Sequence, residues 1–543
     1  MRIMLVVPTM GYTRPPLPLL SFSDFPSGLG YIAAALKAAG HEVIGVNPNN
    51  DNRYDKPYYM LLNKLSEAIE SGKPDLIGLG GLCIDYAFLK DAIDLCRQLA
   101  PKTPIVLGGG IVNNDAEFIF NLLKPDYAIQ GDGEEAMVLL AHGGKPHNLW
   151  YWEDGKPQYT GQDYEYGNVD DRPFPDYTPF GVQEMVDKYS CATRALYRYT
   201  RPEPRPFTIV TARGCPFNCS FCVHRGGPKY RARSIANIMA EIKENYEKYQ
   251  FNILLILDEL FVVNKQRFKD FCDALLANKE LYGWDFDWTF QTHASAKLDL
   301  EVLQLAKKAG CFFFSYGLES ASPTVLKSMD KRIKIPQIIE AMDLAHQTGI
   351  GFGGNLIFGD IAETQTTLLE SLKFYYDYCS MDEVFLGFLM PYPGNKLFDT
   401  CMERGLIKDK AEYYANIDKE MYNMTTMPNE MWSYWMNYLI LAERSWLTIK
   451  STNATSVVKE DTVDAVTIST HNSRYRIEAN CPYCGEHLVY REVVYAGKVD
   501  SPVFIGTGCQ RCNKRIRVEF KLPEAVCELP PVSNHQDSVL AEK

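Results

Sequence analysis

Three cysteines stand close together in the segment "TARGCPFNCSFC": Cys215, Cys219 and Cys222, spaced C-x3-C-x2-C. Three thiols are one too many for a disulfide and one too few for a closed tetrahedral zinc site. Close thiolates in a reducing compartment select soft metals or iron–sulfur clusters. Four complete the ligation of a [4Fe–4S] cluster; three leave one iron open, and an open position is what a reactive metal site needs. The neighbours Arg213, Gly214, Pro216 and Asn218 are turn formers, which argues against three unrelated core thiols. A second group lies near the other end of the chain. "CPYCGEH" and "CQRCNKR" place Cys481, Cys484, Cys509 and Cys512 on two C-x2-C knuckles, the pattern of a tetrahedral four-sulfur site. A zinc ribbon is the first reading and a single-iron, rubredoxin-like site is its rival.

The chain that carries these cysteines has 543 residues, enough for several domains, and is 46% hydrophobic, enough for real cores. Its formal net charge of -12 disfavours nucleic acid as a partner, and the basic runs at 229–233 and 514–517 are short. "MRIMLVVPTM" has too short an apolar run for a signal peptide, and no stretch has the roughly 18 uninterrupted apolar residues of a membrane span. The 15 cysteines are odd in number, and Cys96 and Cys272 sit in apolar helix-like patterns. Reduced thiols of this kind predict a cytoplasmic protein.

Elements that could position the cysteines follow from the apolar pattern. Over residues 1–145, the strand candidates "RIMLVV", "HEVIGVN", "DLIGLGG", "PIVLGGG" and "YAIQGDGE" alternate with helices such as "GLGYIAAALKAAG" and "YAFLKDAIDLCRQLA". That alternation predicts a Rossmann-like, doubly wound parallel sheet. Glycines at the carboxyl ends of its strands mark either tight turns or a ligand crevice, and four such ends together favour a ligand. Residues 146–206, rich in Pro, Tyr and Asp, read as a linker packed across both neighbours. Residues 207–400 alternate again, in six strand–helix units from "FTIVTA" to "DEVFLGFLMPYPG", and predict a partial (β/α)6 barrel with its working groups at the carboxyl ends of the strands. The three cysteines follow the first of these strands. Residues 401–450 read as a helical extension, 451–472 as a polar linker, 473–522 as a small zinc-ribbon-like domain, and the last twenty or so as a tail.

"TARGCPFNCSFC" resembles the cluster-binding signature of radical S-adenosylmethionine (SAM) enzymes, and the resemblance continues along the chain. "LLILDELF" is similar to the family segment near the SAM amino group, and "YGLESASPTVLKSMDK" to its Gly-Leu-Glu-Ser strand end. "NLIFGDIAET" resembles a turn that usually contains proline, where this chain has Ile361 and Ala362. "MPYPGNKLFDTCMERGLI" resembles the barrel's end in the branch whose N-terminal domain binds cobalamin. The resemblance implies that Cys215, Cys219 and Cys222 bind three irons and that SAM chelates the fourth. It implies Phe221 near the adenine, Glu319 facing the ribose, and Asp258 and Glu259 as candidates for the SAM amino group. From the residues alone, those two acids read equally well as caps of the next helix.

The first domain resembles the cobalamin-binding, Rossmann-like domain of that branch. "IGLGGLC", "VLGGGIV" and "AIQGDGEEA" match its strand ends, which makes Gly80, Gly81, Gly108, Gly109, Gly131, Gly133 and Glu134 the expected contacts. Asp-x-His-x-x-Gly, whose histidine binds cobalt from below in another kind of cobalamin protein, is missing around His41, His142 and His147. The family implies reductive cleavage of SAM to a 5′-deoxyadenosyl radical, which the cofactors supply while the protein positions them. The expected outcome is methylation of an unactivated carbon or phosphorus centre of a small-molecule or biosynthetic-intermediate substrate. An external one-electron reductant such as flavodoxin or ferredoxin is implied. The runner-up is a cyclase or ring-rearranging enzyme of the anaerobic magnesium-protoporphyrin cyclase type; a catalytically inactive metal-binding scaffold is the alternative of another class.

Overall fold

A computed structural model describes residues 1–9, 25–48, 62–161, 167–189, 201, 204–223, 230–296, 298–417, 421–445, 448–460, 473–495 and 503–522. The expected tail, the second half of the expected 451–472 linker and part of the cluster loop fall outside these residues.

The first sheet holds strands β1 (Arg2–Val6), β2 (Glu42–Val46), β3 (Leu76–Gly80), β4 (Ile105–Gly108), β5 (Tyr127–Ile129), β6 (Leu149–Glu153) and β7 (Lys156–Tyr159), in the order β2-β1-β3-β4-β5-β6-β7. The first five are parallel. Alternation along β1 sends Ile3 and Leu5 into one buried cluster and Met4 and Val6 into another, so both faces of the sheet are covered. The chain leaves β1 on one side for β2 and returns on the other for β3. That reversal opens a crevice at the carboxyl ends, the place where such sheets bind ligands.

Part of the expected linker at 146–206 is instead sheet. β6 and β7 form a hairpin that pairs antiparallel with β5, with Trp150 opposite both Ala128 and Tyr159. "LWYWE" is an aromatic run without period-two alternation, so its strand signal is weak. Tyr177, also in this segment, reaches both neighbours: Phe25, Tyr177 and Phe207 form an aromatic triangle with ring centroids 5.0–5.8 Å apart, joining the two sheets.

The second sheet is the partial barrel: β8 (Pro206–Ile209), a two-stranded ribbon β9 (Ala212–Arg213) with β10 (Arg231–Ala232), then β11 (Ile253–Ile256), β12 (Asp287–Thr292), β13 (Cys311–Glu319), β14 (Gly351–Phe358) and β15 (Glu383–Phe388). Its order, β15-β14-β13-β12-β11-β8, is sequential and parallel, and β8 does not pair with β15, so the barrel is open. The helices Lys396–Glu403 and Lys410–Asn416 lean on the outer face of the first sheet through Phe398, Tyr413 and Tyr414.

The third sheet corrects the sequence reading again. Ser451–Glu460, taken as linker, is β16, paired with β17 (Ser473–Asn480) and with β20 (Arg515–Phe520); β18 (His487–Tyr495) and β19 (Val503–Gly508) complete the order β18-β17-β16-β20-β19. "STNATSVVKE" is largely polar because its side chains stay half in solvent, and its neighbours supply the hydrogen bonds that make it a strand.

Asp258 also departs from its expected role. It is fully buried and accepts hydrogen bonds from the Thr211 amide, at 2.6 Å, and from the Thr211 hydroxyl. It therefore ties the end of β8 to the end of β11. It does not cap the next helix either: Asn264 caps Lys265–Tyr282, accepting from the Gln266 amide at 2.8 Å. Burial pushes the Asp258 carboxyl up from 3.8 to about 6, against the bonds from Thr211. A raised folded-state value means that the folded protein keeps a proton the unfolded chain has released. This contribution to stability is complete below the ordinary value and is lost as pH rises through about 6, about 3 kcal/mol in all. Asp258→Asn should therefore show a urea midpoint that falls less than the parent's between pH 4 and pH 6.5, and a parallel fall in the two proteins would show that Asp258 is ionised in the fold.

Candidate active site

The cysteine loop is a closed excursion between two paired feet. Arg213 and Ala212 in β9 pair with Arg231 and Ala232 in β10, so the chain leaves and re-enters at one point. The loop is pinned by three hydrogen bonds from two elements: the Ser220 amide donates to the Met329 carbonyl at 2.9 Å, and at the start of Lys396–Glu403 the Leu397 amide donates to the Ser220 carbonyl at 3.1 Å and the Asn395 amide side chain to the Phe221 carbonyl at 2.7 Å. Cys215, Cys219 and Cys222 then line one cavity of about 540 Å³ at the carboxyl ends of the barrel strands. Among the described residues, only Cys481, Cys484, Cys509 and Cys512 bring their ligand atoms within 4.8 Å of one another. The three barrel cysteines thus do not converge on a single ion. They suit a cluster in which each thiolate meets a different iron.

Phe221, Glu259 and Glu319, expected from sequence, line the same cavity; Asp258 does not. Glu319 ends β13 after a register shift and takes φ 61°. Its carboxylate turns back to the Lys331 ammonium at 2.7 Å, with both side chains about nine-tenths buried. Gly317 makes this possible, because a Cβ there would stand 2.4 Å from the Glu319 oxygen and 2.5 Å from the Lys331 nitrogen. Burial opposes the Lys331 charge, but the Glu319 carboxylate together with the Cys219 and Cys222 sulfurs outweighs it, and the lysine titrates above its ordinary range. The Lys331 carbonyl pairs with His293 Nε2 at 3.0 Å, and the His293 ring stacks on Phe217 of the cysteine loop at 4.1 Å. Burial, aided by the Lys331 charge, lowers His293 to about 4, so the ring is neutral near pH 7 and Nε2–H donates. Lys331 and His293 carried no signal in the sequence reading, since their roles depend on meeting loops far away in the chain.

A second cavity, of about 610 Å³, opens at the carboxyl ends of the first sheet. Gly80, Gly81, Gly108, Gly109, Gly131, Gly133 and Glu134, all expected from sequence, line it. Strand ends that carry no side chains leave a broad backbone floor that a flat macrocycle can approach. Gly109 needs its glycine: it takes φ 82°, and a Cβ would lie 2.9 Å from the Gly81 backbone. Among the described residues no histidine lines this cavity; the His41 ring instead packs against His142 at 4.9 Å. Asp85, missed in the sequence, lies on the cavity wall and accepts from the Leu82 amide at 2.8 Å.

The barrel supplies the rest of the second cavity through Val210, Arg213 and Leu257, and Leu257 lines both cavities. Arg213 pairs with Asp132 at 2.9 Å and with Glu134, and Arg231 pairs with Asp132 at 2.9 Å. Burial pushes Asp132 up, but the bond from Arg231 and the charges of both arginines outweigh it and hold the carboxyl below its usual range. The two feet of the cysteine loop are thereby clamped to the carboxyl end of β5, the last parallel strand of the first sheet.

In the C-terminal domain, Cys481 and Cys512 sulfurs lie 3.8 Å apart and those of Cys484 and Cys509 3.6 Å apart. A tetrahedral ion with bonds of about 2.3 Å to sulfur requires edges of about 3.8 Å. Amides of Tyr483 and Arg511 point at the Cys481 and Cys509 sulfurs at 3.4 and 3.3 Å, as thiolates favour. No described helix is long and apolar enough to cross a membrane.

Comparison with known proteins agrees with this geometry. The radical SAM superfamily matches residues 209–375, and the B12 binding domain matches residues 24–141. An uncharacterized methyltransferase of Pyrococcus horikoshii is 26% identical over 78% of this chain and 88% of its own length. The anaerobic magnesium-protoporphyrin IX monomethyl ester cyclase of Cereibacter sphaeroides is 24% identical over 72% of this chain, which spans 62% of that enzyme. The fold is similar to that of the radical SAM methyltransferase TsrM from Kitasatospora setae, solved with cobalamin and a [4Fe–4S] cluster bound, with a TM-score of 0.57 at 16% identity over 74% of this chain and 75% of that one. The three-cysteine loop on the partial barrel thus lies in a stretch that matches the radical SAM superfamily, and the glycine-ended parallel sheet lies in a stretch that matches the B12 binding domain.

Proposed function

We propose that the chain is a cobalamin-dependent radical SAM methyltransferase acting on an unactivated carbon or phosphorus centre of a small molecule. The observation that carries this reading is Leu257, which lines the cysteine cavity and the glycine-floored cavity at once. A substrate resting on Leu257 is within reach of both ligands. When bound, the cluster and SAM supply a 5′-deoxyadenosyl radical, and cobalamin supplies a transferable methyl group.

The protein's part is to hold, orient and keep dry. Cys215, Cys219 and Cys222 would hold the cluster and leave one iron open for SAM. Glu259 is the acid placed to receive the SAM amino group. The Glu319–Lys331 pair offers an acceptor and a donor, which suit ribose hydroxyls and a carboxylate. Phe221, on the wall of the same cavity, would stack beside the adenine. Gly80, Gly81, Gly108, Gly109, Gly131, Gly133 and Glu134 would form the bed for cobalamin, in a cavity that no described histidine lines. The domain limits follow the same division: cobalamin binding in the first sheet, radical chemistry in the barrel and a zinc ribbon at the end. A one-electron donor such as flavodoxin or ferredoxin reduces the cluster.

Anaerobic turnover with SAM, reductant and candidate substrates tests the function. The parent should form 5′-deoxyadenosine and a product heavier by one methyl group, and the triple Cys215/Cys219/Cys222→Ala variant should form neither. A product of unchanged carbon count that has gained a ring would assign the chain to the cyclase reading instead.

Electron paramagnetic resonance of the cob(II)alamin-loaded protein should show no nitrogen splitting from an axial ligand. A clear splitting would mean that a histidine reaches cobalt.

Metal analysis of the purified protein should give one zinc per chain in addition to the cluster iron, lost on Cys484→Ser. Iron at the four-sulfur site would make it rubredoxin-like.

A further inference from the structure

The cysteine quartet does not stand apart from the barrel. The turn that follows its last ligand, Cys512, lies against the amino ends of β14 and β15. The Asn513 side chain donates to the Gly349 carbonyl at 3.0 Å, and the Arg515 amide to the Met381 carbonyl at 3.0 Å. The Arg515 guanidinium then meets the Glu383 carboxylate at 2.8 Å, with only about a tenth of either side chain exposed. Glu383 lines the cavity of the three barrel cysteines.

The apolar contacts agree. Ile253 and Phe312 of the barrel belong to the same buried cluster as Tyr475, Ile477, Ile505 and Val518 of the C-terminal sheet. Leu255 and Phe313 pack on that cluster and also line the cysteine cavity. At these points one layer of side chains separates the cavity from the four-cysteine domain. Gly351 and Gly353 leave the space that the Phe313 ring fills: a Cβ on Gly353 would stand 2.4 Å from the ring's tip, and one on Gly351 would stand 3.2 Å from the Asn513 carbonyl oxygen.

We propose that the four-cysteine domain is the floor of the reaction cavity, plugging the amino end of the open barrel and holding Glu383 in place through Arg515. The open barrel has too few strands to fill its own lumen, and the plug supplies the missing wall. Water is kept from the cavity on that side, and the substrate enters at the opposite mouth, beside Leu257. The metal acts through this contact: it fixes the 509–512 knuckle, and the knuckle fixes Asn513 and Arg515. That the cavity is the one in which the chemistry takes place rests on the function proposed above.

Hydrogen–deuterium exchange of the full-length, cluster-loaded protein tests the floor. Arg515→Met takes the guanidinium away from the buried Glu383 carboxylate, and residues 253–256, 311–315 and 383–388 should exchange about tenfold faster or more, while 473–495 and 503–520 keep their protection and their metal. Arg515→Lys should restore part of the protection. The double variant Arg515→Met/Glu383→Met, which removes both charges, should restore most of it. Cys484→Ser, through loss of the metal, should expose the same barrel strands. Unchanged exchange of those strands in Arg515→Met, or their full protection in Cys484→Ser while 473–495 and 503–520 exchange freely, would overturn the proposal. So would failure of the double variant to recover. Exchange needs no turnover, so a protein that shows this pattern yet cleaves no SAM keeps the floor and loses the proposed function.

Discussion

Two carboxylates at the end of one sheet and two guanidinium groups at the feet of a loop on another decide where everything else in this molecule stands. Asp132 and Glu134 meet Arg213 and Arg231 in a site that is largely shut off from water. Such a network adds little net stability, because taking the charges out of water costs nearly as much as their attraction returns. Its effect is geometric. An arginine fork accepts a carboxylate in few orientations, so the pairing sets both the separation and the rotation of the two sheets. Arg213 directly precedes the Gly214–Cys215 turn, and Glu134 directly follows the last glycine of the second cavity's floor. One interaction therefore relates the place where a radical would be made to the place where a methyl group would be held.

Neighbouring acids on one strand end divide the work. Asp258 is turned inward and joins β8 to β11, whereas Glu259 faces the cavity. Successive residues leaving a strand point to opposite sides, so one of such a pair is committed to the framework and the other is left for a ligand. Glu319 obeys a different constraint. Its left-handed backbone and the glycine two residues before it allow the carboxylate to curl back on Lys331, at a cost in backbone strain that the surrounding packing must offset.

The C-terminal domain shows how a small sheet becomes dependable without a large core. Its buried cluster is short and is completed by barrel residues Ile253 and Phe312. A structural metal on its four converging sulfurs would supply what the apolar area does not, on the order of 10 kcal/mol of folding free energy. A strand as polar as β16 is held there by its two neighbours rather than by its own preference.

By itself, the sequence determined the features whose physics is local. The spacing of Cys215, Cys219 and Cys222, the pairing of the two C-x2-C knuckles, the glycines that end β3 and β4, and the strand–helix alternation of both sheets each depend on residues near one another in the chain. The parallel order of the strands follows from that alternation. What depends on distant residues left no local trace. The β6–β7 hairpin and β16 are strands because of what they pair with, and their composition reads as linker. Arg213 read as a turn residue until Asp132 and Glu134 stood beside it. Lys331 and His293 carried no signal of their own. Whether Asp258 or Glu259 faced the cavity was open, because both fit the motif and only the three-dimensional path of the strand end separates them. That Leu257 joins two cavities, and that Arg515 reaches Glu383 across the barrel's amino end, were decided by tertiary structure alone: long-range packing chooses partners by shape and charge in space, and a single chain's order does not record that choice.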